Sequence, residues 1–274
     1  MRKVIFISAG PGDPDLMTIK AVYHLRKSEV ILVDRLVSPE ILKKYSNYKR
    51  KIIYVGKRST CCSSSRKDND NPLYLTQKRI NDIMIYYALQ GKYVVRLKGG
   101  DVSIFSNIMD ELIELKKYHI SYEIIPGVTA AVGAAAYTGI PLTARGYASS
   151  VRFITLHNPN SIHKDQWIEF LNTSDTLVFY MCIQKLDYIF DKLIMNQRNI
   201  YTDKDKLVAI VEQATTPMQK VYTSSLYNCK ELIRKEKKFL SPSLVIIGKT
   251  VNLHRKFKWT SDLYFFPKKN YFVS

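Results

Sequence analysis

The sequence predicts an α/β protein of two domains, the first built on a mainly parallel sheet and the second on a mixed one. In the first half, short β-branched runs (Val4–Ser8, Val30–Asp34, Lys51–Val55, Tyr93–Leu97 and Tyr122–Ile125) alternate with segments long enough for helices. The break Ile140-Pro141-Leu142-Thr143 sets an expected boundary, with a first domain over 1–142, a second over 143–255 and a basic, aromatic tail over 256–274. In the second half Val208–Glu212 and Lys220–Thr223 are joined by a connection too short for a parallel crossover, which calls for antiparallel pairing.

Each element has its own warrant. Asp15–Lys27 places Leu16, Ile19, Ala21, Val22 and Leu25 near helical period, and Thr76–Leu89 and Asn107–Tyr118 are patterned alike. Thr129–Thr138 is rich in small residues and predicts a closely packed helix. Further strands are expected at Ser150–Leu156, Thr176–Met181 and Ser243–Ile247, and further helices at Asp165–Leu171, Lys185–Met195 and Leu226–Lys237. Ser59–Pro72, rich in Ser, Cys, Asp and Asn, is expected to project into solvent.

The chain has 274 residues and is 46% hydrophobic, with 11 Gly and 10 Pro, which argues against disordered or collagen-like classes. Its 42 Lys+Arg against 24 Asp+Glu leave +18, a level that suits nucleic acid, an anionic surface or a polyanionic ligand. Lysines outnumber arginines and are scattered, so much of that charge reads as solvated surface, and no nucleic-acid partner is expected. No stretch reaches the ~18 apolar residues of a membrane span, so no membrane partner is expected either. Cys61, Cys62, Cys182 and Cys229 show no metal-ligand spacing, and a reducing cytoplasm is the expected setting.

Three Gly-containing turns follow predicted strands: Gly10-Pro11-Gly12-Asp13-Pro14-Asp15, Lys98-Gly99-Gly100-Asp101 and Pro126-Gly127-Val128-Thr129. The carboxyl edge of an open α/β sheet is where ligands bind. The first turn lacks the third glycine of a dinucleotide fingerprint, and Asp13 would repel a pyrophosphate. The pocket therefore suits a neutral or cationic small molecule better than a triphosphate. Asp15 is open to two readings, a helix cap or a ligand contact.

These turns belong to a longer series. Ser8–Pro14, Val33-Asp34-Arg35-Leu36-Val37-Ser38, Val55-Gly56-Lys57-Arg58, Val94–Asp101, Ile125–Ala131, Ala136–Thr143, Val178–Met181 and Ser241–Gly248 together resemble the uroporphyrinogen-III C-methyltransferases of the tetrapyrrole methylase family, over about residues 3–260. The likeness is to the methyltransferase portion of siroheme synthase, with no dehydrogenase/chelatase module expected in front of it. It implies two α/β domains with S-adenosylmethionine folded into the cleft between them, in a homodimer. The implied reaction methylates uroporphyrinogen III at two pyrrole carbons, giving precorrin-2 on the route to siroheme or cobalamin.

Carried over position by position, the resemblance assigns the methyl donor to Pro11, Gly99, Gly100, Asp101, Ile104, Thr129, Ala130 and Met181, with Ala214 standing where a glycine commonly contacts it. It assigns Asp34 as proton acceptor and Lys57 as proton donor. From the residues alone, Asp34 is equally a structural partner of Arg35 or Lys57, Lys57 a point charge for a substrate carboxylate, and Met181 core packing. Arg35, Arg58, Arg145 and Arg152 are candidates for the eight carboxylates of such a substrate.

The chain departs from the family after Asp101, where P-F-I-F-G-R-G-G-E-E is replaced by Val102-Ser103-Ile104-Phe105-Ser106-Asn107-Ile108-Met109-Asp110-Glu111. A cation is lost at Asn107, and Ile108 and Met109 restrict any backbone with positive φ. These changes bear on catalysis, and leave as alternatives a cofactor-binding chain with impaired turnover or an RNA-directed methylase of the same fold.

Overall fold

A computed structural model of the chain describes residues 3–46, 49–56, 75–156, 158, 162–197, 206–236, 238–260 and 270–272, without the side chains of 196 and 197. Two compact units result, one formed by the residues up to Thr129 together with Phe272, and the other running from Ala130 to Tyr271.

The first unit carries β1 (Lys3–Ser8), α1 (Ile19–Lys27), β2 (Val30–Val33), α2 (Pro39–Tyr45), β3 (Lys51–Tyr54), α3 (Gln77–Leu89), β4 (Val94–Lys98), α4 (Met109–Lys117) and β5 (Ser121–Ile125). Its sheet has the order β3-β2-β4-β1-β5 and every neighbouring pair is parallel. Strand residues alternate between two buried faces. Val4, Phe6, Leu32 and Val94 pack with Ile80, Met84 and Leu112 of α3 and α4, whereas Ile5, Ile7, Ile31, Val95 and Leu97 pack with Ala21, Leu25 and Ile41 of α1 and α2. Two covered faces explain why these strands read as unbroken apolar runs.

Two local details differ from the sequence reading. Asp15 caps no helix: Asp13 accepts the Asp15 N–H at 2.8 Å to start a short 3-10 turn, and Thr18 accepts the Ala21 N–H at 3.2 Å to start α1. Asp15 is ion-paired with Lys44 of α2, an unanticipated helix that opens on Pro39. Ile108 and Met109 escape the expected restriction, because positive φ falls on Phe105 (52°) and Asn107 (47°) instead.

The three turns meet at the carboxyl edge. Gly10 and Gly100 exchange both backbone hydrogen bonds, at 3.1 and 2.7 Å, each with positive φ. A Cβ on Gly99 would lie 2.5 Å from the Leu36 carbonyl oxygen. The Asp101 carboxylate binds the loops together: Oδ1 accepts the Ser103 N–H and hydroxyl, and Oδ2 accepts the Gly127 N–H at 2.8 Å. Ser8 Oγ accepts the Val102 N–H at 3.0 Å. Burial opposes the charge on Asp101, yet these donors outweigh it and hold its carboxyl below the ordinary value.

The second unit carries α5 (Ala130–Thr138), β6 (Val151–Thr155), α6 (Lys164–Asn172), β7 (Thr176–Tyr180), α7 (Leu186–Gln197), β8 (Leu207–Glu212), β9 (Lys220–Ser225), α8 (Cys229–Glu236), β10 (Ser243–Ile247) and α9 (His254–Phe257). The order is β6-β7-β10-β8-β9, with β6 and β7 parallel and the other pairs antiparallel. Trp167, Phe170, Phe179, Phe190 and Ile210 fill one face. Ala131 and Ala134 of α5 pack on the other with Val178, Ala209, Val211 and Ile246. That packing puts the division between units before α5, whereas the sequence places it at Leu142.

The basic tail is built in where it is described. α5 ends with open backbone carbonyls, and His254, Trp259 and Thr260 bond those of Thr138, Ala136 and Tyr137. The Tyr271 N–H donates to Gln213 Oε1. Residues 261–269, and the Ser59–Pro72 loop with Cys61 and Cys62, lie outside the described residues. Among the described residues no helix is long and apolar enough to cross a membrane.

Two outcomes follow from these contacts. Gly139 has φ +66° and a Cβ there would lie 2.4 Å from the Phe257 carbonyl oxygen, so Gly139→Ala is expected to destabilise by ~2 kcal/mol or more in urea unfolding. Asp101→Asn turns an acceptor into a mixed donor and should cost about 1–3 kcal/mol at pH 7. Because the folded Asp101 carboxyl is held low, the unfolded chain takes up that proton first. Its stabilisation is present above about pH 3.9 and is lost as pH falls through the lower folded value. Urea midpoints between pH 7 and 2 should therefore fall more steeply for the native chain than for Asp101→Asn.

Candidate active site

Asp34 follows β2 directly, so it stands at the same carboxyl edge as the glycine turns. Its N–H donates to Leu97 O at 3.0 Å, and its Oδ1 accepts the Arg35 N–H at 2.7 Å. Oδ2 lies 3.5 Å from an Arg96 terminal nitrogen, with a quarter of the Asp34 side chain exposed. The partner is thus Arg96, rather than the Arg35 side chain or Lys57 that the sequence offered. Lys57 and Arg58 lie outside the described residues.

Beneath Asp34 is a buried ionic cluster. Arg96 and Lys98 alternate along β4 with Val95 and Leu97, so both point to the face covered by α4. Glu111 of α4 receives both: Arg96 Nε donates to Oε1 at 2.8 Å and Lys98 Nζ to Oε2 at 3.2 Å, and the three side chains are almost wholly inaccessible. Burial pushes the Lys98 ammonium below its ordinary value, with the Arg96 charge adding to the effect. For Glu111 burial works upward, but the two cations prevail and hold it low. Nothing in the sequence reading assigned a role to Arg96, Lys98 or Glu111. The available signal was two charges at a spacing of two inside an apolar strand.

Of the residues assigned to the methyl donor, Pro11, Gly99, Gly100, Asp101, Ile104 and Thr129 belong to the first unit. Pro11 is buried within its turn, Gly99, Gly100, Ile104 and Thr129 are half-buried, and Asp101 is 8% exposed with its oxygens engaged by the loop. In the second unit the carboxyl ends of β6, β7 and β8 share one edge. Met181 follows β7 with φ +54° and is exposed, and Gln213 and Thr215, with φ +47° and +65°, flank Ala214 after β8. Side-chain-bearing residues in this region cost free energy and cluster at ligand sites. The Tyr180 hydroxyl accepts the Ala131 N–H at 3.0 Å, which ties the start of α5 to the end of β7.

The arginines separate. Arg152 is committed to Glu169 and Asp175. Arg35 is exposed next to Asp34, and Arg145 is exposed in the 143–149 loop, which with Ser174 forms an open hollow of about 630 Å³. Burial pushes the Cys182 and Cys229 thiols up to about 12, so neither is a thiolate nucleophile near neutrality.

Residues 3–229 match the family model described as Tetrapyrrole (Corrin/Porphyrin) Methylases. The siroheme synthase of Pseudomonas fluorescens is 42% identical over 257 residues, 94% of this chain and 52% of that protein, so the chain spans about half the length of the curated relatives it matches. The uroporphyrin-III C-methyltransferase of Thermus thermophilus superposes with a TM-score of 0.73 at 29% identity, covering 96% of this chain and 99% of that one. A second structure of that enzyme, complexed with S-adenyl homocysteine, gives 0.71 at 27% identity, covering 92% and 99%. With more than half of its length inside the family model and the same fold in these structures, the chain belongs to the tetrapyrrole methylases.

Proposed function

We propose that this chain transfers methyl groups from S-adenosylmethionine to two pyrrole carbons of uroporphyrinogen III, yielding precorrin-2 for siroheme or cobalamin synthesis. The observation that carries this reading is the 42% identity to a siroheme synthase sustained over 94% of the chain, through both units. A homodimer working in the cytoplasm, without nucleic acid, belongs to the same reading.

The residues present suit such a donor. The turn after β4 presents the half-buried backbone of Gly99 and Gly100 without a phosphate fingerprint, the half-buried Ile104 offers an apolar surface, and Ala130 and Ala214 leave room where larger side chains would intrude. Bound S-adenosylmethionine supplies an electrophilic methyl group. Gly99, Gly100, Ile104, Thr129, Ala130, Met181 and Ala214 are the residues that would hold it. Pro11 and Asp101 serve through the shape of the turns, Asp101 by tying the β4 turn to Gly127. Positioning supplies much of the rate in a transfer of this kind. The substituted ring must then lose a proton, and Asp34, partly open at the sheet edge, is the acceptor. Lys57 is its counterpart as donor. Part of the +18 charge, with Arg35 and Arg145, meets the substrate carboxylates.

Purified protein supplied with S-adenosylmethionine and enzymatically generated uroporphyrinogen III should form a precorrin-2 or trimethylpyrrocorphin-like chromophore. A folded sample that binds S-adenosylhomocysteine and forms no such product would overturn the reading, and methylation of bulk RNA instead would favour an RNA-directed enzyme. Asp34→Asn should lower turnover by about 10²-fold or more, the scale of a lost general base, with S-adenosylhomocysteine affinity in calorimetry within about twofold of native.

A further inference from the structure

The Arg96–Lys98–Glu111 cluster holds two cations and one carboxylate, each buried. An uncompensated charge in such a place is strongly unfavourable. Among the described residues the second negative charge comes from Asp34, reached by the Arg96 nitrogen that Glu111 leaves over. The guanidinium is itself fixed. Its Nε is engaged by Glu111, and its other terminal nitrogen faces the Leu32 and Leu97 carbonyl oxygens at 3.4 Å. The direction in which it presents charge to Asp34 is therefore set by β2, β4 and α4. At 3.5 Å the contact is long for a hydrogen bond, so Oδ2 is oriented by charge while a quarter of the Asp34 side chain stays exposed.

We infer that Arg96 is a positioning residue for Asp34: the buried Arg96–Glu111–Lys98 cluster is a seat that holds the Asp34 carboxylate turned towards the carboxyl edge of the sheet. The inference rests on the proposed role of Asp34 as proton acceptor, and extends that role to residues that touch neither methyl donor nor substrate. It also explains why the cluster carries a surplus cation. Lysine cannot replace Arg96, because a single ammonium lacks the fork that serves Glu111 and Asp34 at once.

Arg96→Met tests the seat without leaving a bare charge in the core, since Lys98 and Glu111 remain as a neutral pair and Asp34 is partly solvated. Arg96→Gln, which keeps hydrogen bonding and loses the charge, serves as a second variant if the first does not fold. In protein carrying aspartate labelled with ¹³C at the carboxyl carbon, the Asp34 resonance is identified by its disappearance in Asp34→Asn. In ligand-free protein that resonance should be displaced by either Arg96 variant. In the methyl-transfer assay either variant should lower kcat at least tenfold, with S-adenosylhomocysteine affinity within about twofold of native, and Arg96→Lys should not restore turnover. An unmoved resonance in the folded variants overturns the seat whatever the reaction is. A displaced resonance with native kcat overturns the positioning role. If Asp34→Asn itself turns over at the native rate, the role of Asp34 in the proposed reaction falls while the displaced resonance leaves the contact standing.

Discussion

The close approach of three backbones at one sheet edge is the constraint on which the first unit's candidate site depends. Strands β1 and β4 run on past the sheet into a two-glycine bridge, and the loop after β5 is drawn in by the Gly127 N–H. A side chain at Gly99 or Gly127 would strike Leu36 or Ser8, so the turns reach this spacing only with glycine there. Asp101 closes the arrangement because one carboxylate can accept from two loops at once, where a neutral side chain would satisfy fewer donors. The place of Asp101 in this turn thus has a mechanical cause inside the protein.

Immediately beside that edge the fold accepts buried charge, which an apolar core of the same volume would avoid. A buried ion group of this kind seldom adds net stability over well-packed hydrophobic residues. Its members here are contributed by β4 and α4, the most central strand and the helix above it, so its geometry is stiff. Stiffness of that sort is useful next to a group proposed to exchange a proton, since the surroundings need not rearrange when charge changes. The second unit reaches a comparable end by other means, with Met181, Gln213 and Thr215 held in left-handed backbone conformations at strand ends.

The central strands were legible because both sheets are covered on both faces, which writes β1, β2, β4, β7, β8 and β10 as short apolar runs. Seven-residue α2 was not, because Pro39 and the pair Ile41 and Leu42 make too little of a pattern to count as a helix. The start of α1 was misplaced since Asp13, Asp15 and Thr18 are all good capping residues, and tertiary geometry chose among them. Much of the candidate site followed from turn chemistry and from resemblance. The Asp34–Arg96 contact did not, because it spans 62 residues of sequence and exists only through the register that sets Leu32 beside Arg96 and Val33 beside Leu97. Period and composition hold no record of which strands become neighbours.

The capping of α5 by the segment around Trp259 bears on how the second unit comes into being. A helix begun at Ala130 has its last carbonyls satisfied by residues that leave the ribosome more than a hundred positions later. Until then those carbonyls must be served by water, and the alanine-rich helix has no finished terminus on which to settle. The nascent chain can complete the first sheet early, but the second unit has to wait for nearly all of its own sequence. Synthesis therefore imposes a temporal order on two units of similar size, and the late one includes Ala130, Met181 and Ala214.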